Sequence, residues 1–202
     1  TTADLRQPVA TSLATTHHAD VAVVFYAGHG IELDGTNYLI PVDARLKADI
    51  DVEDEAVSLD RIMQVLEPAR RLRLVMLDAC RDNPFLTSMK RTVATRAVVR
   101  GLARVEPSKP NTLVAFAAKA GSVAEDGDGA HSPFTEALLK HVAEPGLDIR
   151  LALGRVGDDV IAKTKNAQEP FVYGSLGGAV ISLSIKVAVE VERDGDDARE
   201  DF

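Results

Sequence analysis

Val21-Ala22-Val23-Val24-Phe25-Tyr26-Ala27-Gly28-His29-Gly30 is the stretch that decides the fold. Its first six residues are apolar or aromatic and rich in β-branching, with no polar residue alternating among them. A run of that kind suits a strand covered on both faces, which points to a largely parallel sheet flanked by helices. Three further runs read the same way: Leu72-Arg73-Leu74-Val75-Met76-Leu77, Thr112-Leu113-Val114-Ala115-Phe116 and Ala179-Val180-Ile181-Ser182-Leu183. Helical spacing falls between them. Asp4 to Thr16 precedes the first strand, and Leu59, Ile62, Met63 and Leu66 share one face, with Ser58 as N-cap. Ser132-Pro133 opens a helix through Phe134, Ala137, Leu138 and Val142, with proline at the first turn, and Asp148 to Lys163 forms another. Strands alternating with helices predict an α/β fold with a mostly parallel central sheet.

The rest of the chain fits one such domain over residues 1–192, followed by a charged tail from Arg193 to Phe202. Hydrophobic residues make up 46% of the 202 and charged residues 27%, the balance of a globular protein. No apolar run approaches the ~20 residues that cross a bilayer, and no basic stretch followed by an apolar core opens the sequence. The expectation is no membrane partner and a cytoplasmic location. The net charge of -8 disfavours nucleic acid as a partner. A single cysteine, Cys80, excludes an internal disulfide.

Charge is unevenly spread. Asp43, Asp49, Asp51, Glu53, Asp54, Glu55 and Asp60 are opposed only by Arg45 and Lys47. From Leu86 to Pro110 the sign reverses, with Lys90, Arg91, Arg96, Arg100, Arg104 and Lys109 against Glu106. A solvated surface accounts for either run.

Two short segments follow predicted central strands and read as loops: Tyr26-Ala27-Gly28-His29-Gly30 and Asp78-Ala79-Cys80-Arg81-Asp82-Asn83. Ligands in open α/β sheets bind beyond the carboxyl ends of the strands. Parallel neighbours would therefore bring His29 and Cys80 to one rim. An imidazole there would take the thiol proton, or stabilise the thiolate as imidazolium, and later protonate a leaving amine. Glycines on both sides of His29 allow sharp turns and close substrate approach. The backbone N–H groups of Gly30 and Cys80 are candidate oxyanion donors, worth roughly 3 kcal/mol each.

Phe25-Tyr26-Ala27-Gly28-His29-Gly30, Asn37-Tyr38-Leu39-Ile40-Pro41-Val42-Asp43 and Leu77-Asp78-Ala79-Cys80-Arg81-Asp82-Asn83-Pro84 together resemble the bacterial caspase-like cysteine peptidases, the metacaspase, orthocaspase and paracaspase relatives. The caspase signature places its histidine about 50 residues upstream of an Ala-Cys pair, and this chain agrees. Ala115-Phe116-Ala117-Ala118, Ser132-Pro133-Phe134-Thr135 and Gln168-Glu169-Pro170-Phe171 extend the likeness over roughly residues 15–184. It implies a caspase-like sandwich, Cys80 as nucleophile and His29 as general acid/base, with no third orienting carboxylate.

The departures from the caspase pattern are informative. Asp78 stands where caspases carry a glutamine that lines the pocket for the residue before the scissile bond. A carboxylate there should favour a cation and repel an acid. Metacaspases and paracaspases share this feature, which implies protein or peptide substrates cut after Arg or Lys. Glu125 or Asp126 is a candidate second pocket acid. A capping aspartate is the alternative for Asp78, and a solvated loop for Glu125 and Asp126. Leu86 to Pro110 falls where the family has an intersubunit linker, so Arg91, Arg96 and Arg100 are candidate self-cleavage sites, with an uncut surface loop as the alternative. Glu53-Asp54-Glu55 resembles part of the calcium cluster of metal-dependent metacaspases, but the remaining acids lack counterparts, so the expectation is no required metal or other cofactor. The family's first strand has no counterpart in residues 1–19. A homodimer through Ile181 to Val189 is expected by analogy alone. The rival reading is a catalytically silent module of the same fold that binds signalling partners. A nucleotide-binding domain ranks last, because no phosphate loop of the required spacing is present.

Overall fold

The computed structural model describes residues 19–80, 89, 90, 92, 98–100, 102–119 and 124–184. Its described elements are strands β1 (Val21–Leu33), β2 (Thr36–Ile40), β3 (Val57–Ser58), β4 (Leu72–Cys80), β5 (Val98–Arg100), β6 (Thr112–Phe116) and β7 (Phe171–Ser175). The helices are α1 (Asp51–Glu55), α2 (Leu59–Leu66), α3 (Pro133–His141) and α4 (Ile149–Lys163). The predicted helix over Asp4 to Thr16 and the tail from Arg193 lie outside the described residues.

The sheet runs β3-β2-β1-β4-β6-β7, with β5 joining β1 off that path. Its centre is parallel: β1 pairs β4 from Val21↔Leu72 to His29↔Cys80, and β4 pairs β6 from Arg73↔Thr112 to Leu77↔Phe116. Antiparallel strands flank that centre, β2 and β5 on the second half of β1 and β7 on β6. The three central runs are thus the parallel strands the sequence predicts, and the sheet is an α/β layer with helices on both faces. On one face Leu74, Met76, Leu113 and Ala115 pack with Phe134, Leu138, Leu153 and Val156 of α3 and α4. On the other, Val75, Leu77, Val114 and Phe116 pack with Leu59, Ile62 and Leu66 of α2.

The predicted helix starts are present. Ser58 Oγ accepts from Arg61 N, Ser132 Oγ accepts from Thr135 N with Pro133 at the first turn, and Asp148 caps α4 by accepting from Arg150 N. Satisfying an orphan N–H at each start is what these residue types do.

Four expectations need correction. Coverage on both faces holds for β4 and β6 but not for β1, where Val23 and Phe25 are 42% and 47% exposed. The fourth strand is not Ala179 to Leu183. Of that run Ile181 is buried, and it closes the start of α4: its N–H donates to Asp148 Oδ2 and its carbonyl accepts from Ile149 N. With its peptide groups so engaged Ile181 forms no ladder, and residues 185–189 of the segment expected to pair in a dimer lie outside the described residues. The strand lies earlier, at Phe171–Ser175, where Gly174 at φ +117 sits so close to β6 that a Cβ would fall 1.9 Å from the Thr112 carbonyl oxygen.

The other two corrections concern the predicted loops. His29 and Gly30 lie inside the 13-residue β1, and Asp78, Ala79 and Cys80 lie inside β4. The glycines do not turn the chain. Gly28 leaves room for the Tyr26 hydroxyl, 2.6 Å from where a Cβ would stand, and Gly30 for Leu102, whose Cδ2 would be 2.5 Å away.

Several described parts of Leu86 to Pro110 are bound to the rest of the fold. Lys90 pairs with Ala48, Val98–Arg100 pair with Leu33–Ile31, and Leu102 is buried. Asn37 grips Ala103 from both sides, Oδ1 accepting from its N–H at 2.6 Å and Nδ2 donating to its carbonyl at 2.9 Å.

Candidate active site

Parallel register puts His29 directly beside Cys80 where β4 ends. Residues paired in register across a sheet share a face, and alternation along each strand fixes which. Met76 of β4 packs in the α3/α4 layer, so Asp78 and Cys80, two and four residues on, belong to that face, with Ala27 and His29 beside them. His29 is exposed. Cys80 is placed by its backbone.

Asp78 lies one step below that pair and is 7% exposed. Its Oδ2 accepts from the hydroxyls of both Ser132 and Thr135 at the start of α3. Ser132 Oγ in turn accepts from Thr135 N at 3.0 Å. The capping alternative for Asp78 is therefore realised in part: it bonds the capping residue, not the helix backbone. Among the described residues no Lys or Arg pairs with it.

Glu125 and Asp126 are exposed, on the loop that ends at Ser132. That loop is held by Gln168, a fully buried side chain whose Oε1 accepts from Glu125 N and whose Nε2 donates to the Ala117 carbonyl. The structure thus joins Asp78 to the loop's end, and leaves the two acids facing solvent farther along it. Arg91 and Arg96 lie outside the described residues; Arg100 is opposite Ile31 in the β1–β5 pairing.

Tyr26, Ser132 and Thr135 were not legible as site residues. The Tyr26 hydroxyl donates to the carbonyls of His29 at 2.7 Å and Ile40 at 2.9 Å. Burial pushes its pKa up to about 12, so the hydroxyl stays a proton donor at any physiological pH. A buried tyrosine needs a partner for its hydroxyl, which was the available signal.

Three members of the acidic run accept hydrogen bonds from backbone N–H groups of the chain. Glu55 Oε2 accepts from the N–H groups of Arg45 and Leu46, Asp51 Oδ2 from Ala48 N, and buried Asp49 from Thr92 N and its hydroxyl. Among the described residues no three His, Cys, Asp or Glu side chains group as a metal-ligand set.

A family model for the caspase domain matches residues 1–180. Among solved structures, caspase-1 from Spodoptera frugiperda is similar at a TM-score of 0.52 and 14% identity, covering 91% of this chain and 72% of its own. A structure of pro-sf-caspase-1 gives a TM-score of 0.54 and 16% identity, over 90% of this chain and 73% of that one. At such identities the likeness is one of fold. No curated protein matches the chain.

Proposed function

The chain belongs to the caspase-domain family of peptidases, and we propose that it is an active cysteine endopeptidase cutting peptide bonds after Arg or Lys. The observation that carries this reading is the register pairing of His29, inside β1, with Cys80 at the carboxyl end of the adjacent parallel β4. In the mechanism His29 accepts the Cys80 thiol proton and the thiolate sulfur attacks the scissile carbonyl. The N–H groups of Gly30 and Cys80 hold the oxyanion. Collapse of the tetrahedral intermediate breaks the C–N bond, and the proton on His29 passes to the leaving amine. Water, deprotonated by His29, then attacks the thioester, which releases the carboxylate product and restores the thiol. In this reading no metal takes part.

Asp78 supports the basic preference. It is a buried carboxylate whose partners are two neutral hydroxyls, so its charge is left for a cation to meet. Glu125 and Asp126 would add negative potential at the mouth. Arg91, Arg96 and Arg100 are candidate self-cleavage sites in a basic strap. A cut at Arg100 requires β5 to leave β1 first.

The test uses fluorogenic peptides ending in Arg, Lys or Asp with wild type, Cys80→Ala and His29→Ala. The expected result is turnover of the Arg and Lys peptides by wild type, with at least a ~10³-fold loss in each variant. Turnover retained by Cys80→Ala removes the nucleophile, and preference for the Asp peptide removes the pocket argument. No cleavage, and no labelling of Cys80 by an active-site electrophile, leaves the silent interaction module as the function.

A further inference from the structure

The peptide bond between His29 and Gly30 has two ends with two different partners. Its carbonyl oxygen accepts the Tyr26 hydroxyl at 2.7 Å. Its N–H is Gly30's, the group assigned above to the oxyanion. The described peptide bonds are trans, and a planar trans peptide directs its N–H opposite to its C=O. The same hydroxyl reaches the carbonyl of Ile40 on β2, so the oxygen of His29 is held on the β2 side of β1. The N–H is then directed toward the other side, where β4 brings Cys80.

We propose that Tyr26 is a positioning residue for catalysis, its hydroxyl fixing and polarising the His29–Gly30 peptide so that the Gly30 N–H faces Cys80 as an oxyanion donor. The inference rests on the peptidase reading and adds a residue to it. A hydrogen bond accepted by an amide oxygen strengthens the donor at the other end of the same amide. One hydroxyl proton shared between two carbonyls also ties β1 to β2 at this point. Gly28 is required for this arrangement, since a Cβ there would stand 2.6 Å from the Tyr26 hydroxyl oxygen.

Three measurements on the full chain test it, comparing wild type with Tyr26→Phe. The first is kcat and KM for the Arg peptide. The second is inhibition by a peptidyl-arginine aldehyde, whose thiohemiacetal oxygen occupies the oxyanion site. The third is the rate of Cys80 alkylation by iodoacetamide, which displaces iodide and forms no oxyanion. Losing a whole oxyanion donor costs roughly 10²–10³-fold, so misdirecting one should cost about 10-fold. The expected result is kcat down about 10-fold with KM unchanged, aldehyde affinity down in parallel, and alkylation at the wild-type rate. Gly28→Ala, which keeps the tyrosine but displaces its hydroxyl, should give the same pattern if Tyr26→Phe fails to fold. Unchanged kcat and aldehyde affinity overturn the assignment. So does an equal loss in alkylation, because the variant has then disturbed the Cys-His pair itself. A wild type that cleaves none of the peptides brings down the peptidase reading and this inference with it; an active wild type equalled by the variant brings down only Tyr26.

Discussion

Two buried carboxylates stand at helix starts in this fold, and they are satisfied in opposite ways. Asp148 caps α4 and is gripped by a cation: Arg150 Nε donates to Oδ1 at 2.7 Å and Nη2 to Oδ2 at 3.0 Å. The N–H groups of Arg150 and Ile181, each at 3.0 Å, complete the set. Asp78 lies at the start of α3, is equally buried, and takes two hydroxyls. The first charge is neutralised within the chain and needs nothing more. The second keeps its net charge in a place where an unpaired charge is costly. On the proposed function, Asp78 is the carboxylate that meets the substrate's cationic side chain, while the partners of Asp148 all lie within the fold.

The contrast breaks most directly at Asp78→Asn. The amide keeps an oxygen for Ser132 and Thr135 but loses the charge. If Asp78 meets the substrate cation, kcat/KM for the Arg peptide should fall about 100-fold, close to 3 kcal/mol. Melting temperature should move by no more than a few degrees. Unchanged discrimination between Arg and uncharged peptides would make Asp78 a second Asp148, a structural acid.

Ser132→Ala sharpens the same comparison from the helix side. Ser132 Oγ caps α3 and donates to Asp78 at once. Loss of the cap costs about 1 kcal/mol, and loss of a donor to a buried carboxylate about another. Urea denaturation should therefore show about 2 kcal/mol, accompanied by reduced turnover of the Arg peptide as Asp78 loses half its support. A stability loss with full activity would separate the α3 cap from the pocket.

These contacts mark where the sequence stops being sufficient. The parallel centre was legible because Val21 to Tyr26, Leu72 to Leu77 and Thr112 to Phe116 state their burial in composition alone. The caps at Ser58 and Ser132 are local chemistry and were equally plain. Extension of β1 through Gly28 and Gly30 was not, since its cause is the space taken by Tyr26 and by Leu102, the latter 72 positions from Gly30. For the same reason Val98–Arg100 read as part of a linker, although pairing with β1 makes them a strand. Ala179 to Leu183 had the composition of a strand, but its peptide groups at Ile181 were claimed by the start of α4. Of the candidate site, the register pairing of His29 with Cys80 followed from parallel topology. Asp78 carried two readings that only its hydroxyl partners could begin to sort.

Asp148→Asn carries the smallest expected effect and the clearest pH signature. Asparagine can still cap the helix through Oδ1, so it removes the charge facing Arg150 and the second oxygen that accepts from Ile181 N–H. In the folded chain the Arg150 guanidinium, chiefly through its hydrogen bonds, lowers the Asp148 pKa from 3.8 to about 2. A depressed carboxyl pKa stabilises the fold where the group is ionised in both states, above about pH 4, and that contribution drains away as pH falls toward the folded value. Because Arg150 is partly exposed, solvent screening holds the effect to about 1 kcal/mol. Urea midpoints of wild type and variant should therefore differ at pH 7 and converge as pH falls through 4 toward 2, while turnover of the Arg peptide at pH 7 stays the same. A gap that persists at low pH would mean that Asp148 acts through its shape and hydrogen bonds and not its charge, and the opposition between the two carboxylates would then rest on Asp78 alone.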